Sequence, residues 1–140
     1  MNFPPPNSPD TDFEKLWLKC PQKIGTGSSR DVFEIDDDYV LKVSNKPINF
    51  SNWSEIVIYT RALDKSFFAE VKSWSNSGKF LVMEKLQYIH ASQLVGHRLP
   101  SCIFDKKTAN FGMDKSGDIK LLDFASFDFN HNPLFTMPKP

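Results

Sequence analysis

The sequence is poor in the residues that build disulfide frameworks and metal centres. Two cysteines, Cys20 and Cys102, make neither a framework nor a zinc set. Three histidines, His90, His97 and His131, show no metal-ligand spacing. Two reduced thiols in a scaffold without Cys- or His-held metal are the expectation. An excess of one charge is missing too. The chain has 17 Lys and Arg against 17 Asp and Glu, so no basic field draws it to nucleic acid or to an anionic membrane. Aliphatic and aromatic runs reach only about four residues, as in Phe80 to Met83, which excludes a transmembrane helix. The stretch Met1-Asn2-Phe3-Pro4-Pro5-Pro6 has neither a charged n-region nor an apolar h-region, so no signal peptide is expected. A cytoplasmic protein with no nucleic-acid and no membrane partner follows as the expectation.

What is present is a core. Hydrophobic residues are 40% of the 140 and include thirteen Phe, too apolar for a disordered chain and enough for one domain. Seven of the ten prolines lie between Pro4 and Pro9 or between Pro133 and Pro140. Both ends, 1–21 and 127–140, are therefore expected as extended tails or surface straps. Between them, 22–26, 30–35 and 39–43 predict strands from their β-branched and aromatic content. A helix signal follows at Ser51 or Asn52, with Glu55 three residues after Asn52 and apolar Ile56, Ile58, Tyr59 and Leu63 beyond. Further strands are predicted over 67–74 and 79–86, a short helix over 91–95, and a hairpin of 111–113 with 118–124 turning at Asp114-Lys115-Ser116-Gly117.

Three places carry candidate chemistry. Gly25-Thr26-Gly27, followed by Ser28, lets backbone amides approach an anion, but an ordinary hairpin explains it equally. Lys42 sits on an apolar strand between Leu41 and Val43. It is either an outward charge or an inward ammonium that needs an acidic partner. Glu55 is the natural partner, unless its role is to close a capping box with Asn52. The third place is Asp105-Lys106-Lys107-Thr108-Ala109-Asn110, with Asp123-Phe124-Ala125 at the end of a later strand. Oxygens from an Asp, an Asn and a second Asp suit magnesium and can orient a hydroxyl.

In order and spacing these pieces resemble the protein-kinase superfamily: Ile24 to Gly27 with Val32, Val40 to Val43, Glu55, Phe80 to Glu84, Asp105 to Asn110, and Asp123 to Ala125. Gly-Thr-Gly-Ser-Ser-Arg-Asp-Val-Phe and the Asn-Phe-Gly hairpin look like small kinase-like proteins of bacteriophages and bacteria. The resemblance implies an α+β fold in which 22–86 is a five-stranded antiparallel N-lobe sheet with one helix. It makes 87–126 a much reduced C-lobe.

It also implies roles. Gly25, Gly27 and Ser28 would cover the phosphates of ATP, and Lys42, paired to Glu55, would touch them. Met83, Glu84 and Leu86 would meet the adenine. Asp105 would be the catalytic base, Lys107 would neutralise the transferred phosphate, and Asn110 and Asp123 would bind magnesium. The implied activity is transfer of the γ-phosphate to a Ser or Thr of a protein. The alternative is a pseudokinase-like module that engages a partner protein, in host cytoplasm if the chain is phage-encoded. A second copy or a partner completing the reduced lobe fits either reading. Three departures stand out: Arg30 replaces the third loop glycine, Ile103-Phe104 replace the usual His-Arg, and Ala125 replaces the glycine after Asp-Phe.

Overall fold

Three consecutive strands rich in β-branched and aromatic residues begin the architecture. The computed structural model describes residues 2–47, 50–62, 64–94 and 108–125. Strands β1 (Lys23–Thr26), β2 (Arg30–Glu34), β3 (Tyr39–Ser44), β4 (Val71–Trp74) and β5 (Phe80–Glu84) form one sheet in the order β1-β2-β3-β5-β4. Every neighbouring pair is antiparallel. The fold is α+β with a five-stranded antiparallel sheet. Central β3 pairs Lys42 with Val32 on one side and with Leu81 on the other, and its residues 40–43 are all buried. Burial of successive residues means that both faces of this strand are covered.

The N-terminal stretch divides in two. Up to Ser8 it runs along the outer edge of β4. The Asn7 N–H donates to Trp74 O at 2.9 Å, Trp74 Nε1 donates to Asn7 Oδ1 at 3.0 Å, and Ser8 bridges Ser75. An unpaired sheet edge is thereby closed. Residues Asp10–Leu18 are helix α1, so the sheet has two α-helices beside it in sequence rather than the one expected. Pro9 precedes the first turn, and Asp10 and Asp12 within it favour the positive end of the helix dipole. Phe13, Leu16, Trp17 and Cys20 recur at helical spacing. Phe13, Leu16 and Cys20 are buried in one cluster with Leu41, Val43, Phe80 and Val82, and Trp17 packs against it. The Phe13 and Phe80 rings stack at 5.9 Å, and Trp17 meets Phe80 edge-on at 5.5 Å.

Helix α2 (Ser51–Arg61) follows β3, where a helix was expected. The turn between β4 and β5 is the expected Ser75 to Gly78. Gly78 has φ +79°, and a Cβ there would lie 2.2 Å from the Trp53 ring, so no other residue fits.

The chain divides into two compact units, residues 1–56 with 70–85 and residues 57–69 with 86–140. The second is organised by the hairpin β6 (Phe111–Met113) and β7 (Ile119–Leu121). Its turn is fixed as expected: Asp114 Oδ1 accepts from Ser116 N and Asp118 N, each at 2.9 Å, and Gly117 has φ +89°. Gln87 exchanges two backbone hydrogen bonds of 2.9 Å with Met113, while the Ala69 N–H donates to Leu121 O at 2.8 Å. Phe68, Phe111, Leu121 and Phe124 are buried, and the Phe68 and Phe124 rings lie 4.6 Å apart. Phe67, expected at the start of a strand, instead ends a 3-10 turn, Lys65–Phe67, because Asp64 accepts from Ser66 N at 2.9 Å and caps it. A second 3-10 turn, Ala91–Leu94, stands where the short helix was predicted.

Candidate functional site

In the first unit the strand register decides where the charged side chains go. Arg30 stands opposite Ser44, and Val32 opposite Lys42, so Arg30 and Lys42 share one face of the sheet. Glu55, on the second turn of α2, meets both. Lys42 Nζ lies 2.9 Å from Glu55 Oε1. Arg30 grips the same carboxylate with both arms, Nη1 on Oε1 and Nη2 on Oε2, the latter at 3.1 Å. Exposure is 4% for Lys42, 6% for Arg30 and 0% for Glu55. Two cations therefore share one fully buried carboxylate.

Asn52 completes the cluster. Its Oδ1 accepts from Arg30 Nη1 at 3.2 Å, and its Nδ2 donates to the carbonyls of Gly78 at 2.9 Å and Lys79 at 3.0 Å. Asn52 lies within α2, whose first residue is Ser51, rather than ahead of it as a capping box requires, and the ion-pair alternative holds. Burial pushes the Glu55 carboxyl up, but the charges of Lys42 and Arg30 and their hydrogen bonds outweigh it and hold the group down to about 2.

A pH dependence follows. The folded-state value lies below the ordinary 4.5, so this contribution to stability is complete above that pH and disappears as pH falls toward 2. About 3 kcal/mol is at stake. Urea unfolding of the wild type should show this loss, and Glu55→Gln should lack it. Parallel acid profiles for the two proteins would contradict the assignment.

The glycine loop is tethered to the same region. Gly27 N–H donates to Arg30 O at 2.8 Å, closing the turn, while Asn45 Nδ2 donates to Gly27 O at 3.1 Å and Asn45 N–H to Ser29 O at 3.0 Å. Ser51 Oγ and Ser29 Oγ lie 3.1 Å apart, linking the loop to the start of α2. Ser28 is exposed. A Cβ on Gly25 would make only ordinary contact with Val32 at 3.6 Å, and one on Gly27 would meet Arg30 O at 3.6 Å. Packing within the loop does not demand either glycine. Met83 is fully buried on β5. The Glu84 N–H donates to Glu70 O and the Lys85 N–H to Asp38 O, both at 2.8 Å. A separate open cavity of about 460 Å³, bordered by Trp17, Asn45 and Lys79, contains none of the expected site residues.

In the second unit, Asn110 closes a short 3-10 turn, Thr108–Asn110, just before β6, and Asp123 follows β7. The Leu122 N–H donates to Asn110 O at 2.8 Å, which extends the hairpin register and brings the two residues to the same end. Both are half-buried. Buried Phe124 anchors the backbone beside Asp123. Leu86 packs on Gly112, where a Cβ would come within 2.5 Å of Leu86 Cβ. One neutral and one anionic oxygen donor suit a hard cation that draws its other ligands from phosphate and water. No group of three His, Cys, Asp or Glu that could cage a metal occurs among the described residues. Asp105 and Lys107, like the tail 127–140, lie outside the described residues. No helix among the described residues is long and apolar enough to cross a membrane.

Sequence reasoning missed Arg30 and the true role of Asn52. Arg30 reads as a lost glycine when the loop is taken alone. Strand parity was the available signal: two residues before Val32, it falls on the Lys42 face, where a buried arginine needs a carboxylate.

Neither a protein-family model nor a curated protein matches the sequence. Among solved structures the chain is similar to WbdD bound to a kinase inhibitor, at 20% identity and TM-score 0.47 over 72% of this chain and 31% of that one. It is similar also to a structure of the bifunctional kinase–methyltransferase WbdD, at 22% identity and TM-score 0.43 over 70% and 30%. The chain spans about a third of the length of the solved chains it matches.

Proposed function

We propose that the chain is a minimal kinase-like phosphotransferase that uses magnesium and ATP and delivers the γ-phosphate to a Ser or Thr of a protein substrate. The observation that carries this reading is the buried ion pair of Lys42 with Glu55, a strand lysine held by a helix carboxylate. Such a pair presents an ammonium at a fixed point, as a phosphate-binding lysine requires. Two further features support it. Gly25 and Gly27 are not demanded by packing, so the bare backbone leaves room for an outside group such as a phosphate. The hairpin also sets Asn110 and Asp123 at one end, a donor pair suited to magnesium.

In this reading Lys42 orients the α- and β-phosphates, and the loop from Gly25 to Ser28 lies over them. The adenine meets Met83 and the stretch from Glu84 to Leu86, where carbonyls and the Leu86 backbone serve because the Glu84 and Lys85 amides are already bonded. Asp105 takes the proton of the attacking hydroxyl as its oxygen bonds to the γ-phosphorus and the bridging bond to the β-phosphate breaks. Lys107 offsets charge on the phosphoryl group in transit. Magnesium, when bound, neutralises charge developing on the phosphate oxygens.

Incubation of the full chain with γ-labelled ATP and magnesium, alone and with candidate protein substrates, tests the reading. Label on Ser or Thr, of this chain or of a substrate, is the expected result. Nucleotide binding with no transfer to any acceptor would replace the reading with that of a partner-binding module.

A further inference from the structure

The ion pair at the centre of the site has a third member that the proposed chemistry does not use. Glu55 offers two oxygens, and Lys42 bonds to Oε1. Oε2 is taken by Arg30 Nη2 at 3.1 Å, while Arg30 Nη1 bonds both Oε1 and, at 3.2 Å, Asn52 Oδ1. Residues 52 and 55 are three apart on α2 and so share one helix face. A planar fork can hold two such groups at once, whereas a lysine would be a single point charge. The backbone of Arg30 has a second task, because its carbonyl accepts the Gly27 N–H that closes the glycine loop. One residue thus binds the loop through its main chain and the helix through its side chain.

We infer that Arg30 is a positioning residue: it locks the glycine loop to the first turns of α2 and thereby fixes Glu55, and with it Lys42, in one arrangement without any ligand. The loop and the helix should then move together or not at all. Ser29 to Ser51 is a weaker, half-buried tie between the same parts, and Asn45 to Gly27 ties the loop instead to the chain just after β3; neither can substitute for a buried bidentate pair. A free loop and an independently swinging helix are the arrangement that this residue excludes. The lock itself is local to the loop, Arg30 and α2. Only its consequence for nucleotide turnover rests on the proposed function.

Amide hydrogen exchange on the full chain tests it, comparing wild type with Arg30→Lys and Arg30→Met. Two sets of amides are followed: those closing the loop, Gly27 and Asn45, and those of α2 from Ser54 to Ile58. The expected result is that both sets exchange about tenfold faster or more in Arg30→Met, in step with each other, while β5 amides keep their protection. Arg30→Lys, which keeps the charge and is the variant of choice should Arg30→Met not fold, should loosen both sets by a smaller common factor. Unchanged exchange in both sets would overturn the inference. So would uniform acceleration through β5, which marks a merely structural residue.

Kinetics give a separate arm. KM for magnesium–ATP should rise about tenfold in Arg30→Lys, with kcat changing less. If the wild type binds no nucleotide while the loop and helix amides respond as expected, the lock stands and the phosphotransferase reading falls. If ATP is turned over and the amides do not respond, the reverse holds.

Discussion

Glu55→Gln is expected to lower the unfolding free energy by about 3–5 kcal/mol, well beyond the cost of removing its partner Lys42. The asymmetry comes from counting charges. Glutamine keeps the volume of glutamate, so no cavity opens. It leaves Lys42 and Arg30, both more than nine-tenths buried, without the carboxylate charge that they share. Lys42→Met leaves Glu55 in its two-armed pair with Arg30, a neutral and hydrogen-bonded arrangement, and should cost only about 1–2 kcal/mol. Denaturant unfolding at neutral pH measures both. Equal costs, or a larger cost for Lys42→Met, would show that Glu55 is not held chiefly by Arg30.

The second large effect is on activity rather than on stability. Asp123→Asn should reduce magnesium-dependent phosphoryl transfer about a thousandfold or more, since the amide cannot supply an anionic ligand. Its fold should persist. The hairpin is held by the pairs from Phe111 to Leu121, by the Leu122-to-Asn110 hydrogen bond and by Phe124 on Phe68, none of which needs the Asp123 charge. The melting temperature should stay within about 2 °C of wild type. Asp105→Asn should share the loss of activity. A lower melting temperature with unchanged nucleotide handling would assign Asp123 to hairpin capping instead.

Much of the sheet was legible in the sequence because its signals are local. Tyr39-Val40-Leu41-Lys42-Val43 declares a strand by composition, and Asp114 to Gly117 declares a turn by chemistry. The placing of Lys42 against Glu55 was legible too, but only as one of two alternatives. The pattern Asn52-x-x-Glu55 is identical for a capping box and for two side chains reaching inward from one helix face. What separates them is Arg30, a long-range partner on another strand.

Helix α1 was illegible for a different reason. The prolines from Pro4 to Pro9 mark an extended segment correctly, yet the marking was carried too far along the chain. The spacing of Phe13, Leu16, Trp17 and Cys20 was present, and what it packs on, Phe80 and Leu41, is far away in sequence. The strand predicted from Phe67 starts later because the Asp64–Ser66 cap holds Phe67 in a 3-10 turn, while Phe68 beyond it is extended.

Magnesium–ATP titration of wild type and Lys42→Met, followed by melting temperature and by calorimetry, tests the central claim most directly. Because Glu55 keeps Arg30 in that variant, its fold should survive and the comparison should report on the ammonium alone. The prediction is saturable, magnesium-dependent binding that raises the wild-type melting temperature, weakened about a hundredfold in Lys42→Met. No shift in the wild type, or equal binding by a folded Lys42→Met, would contradict the phosphotransferase reading.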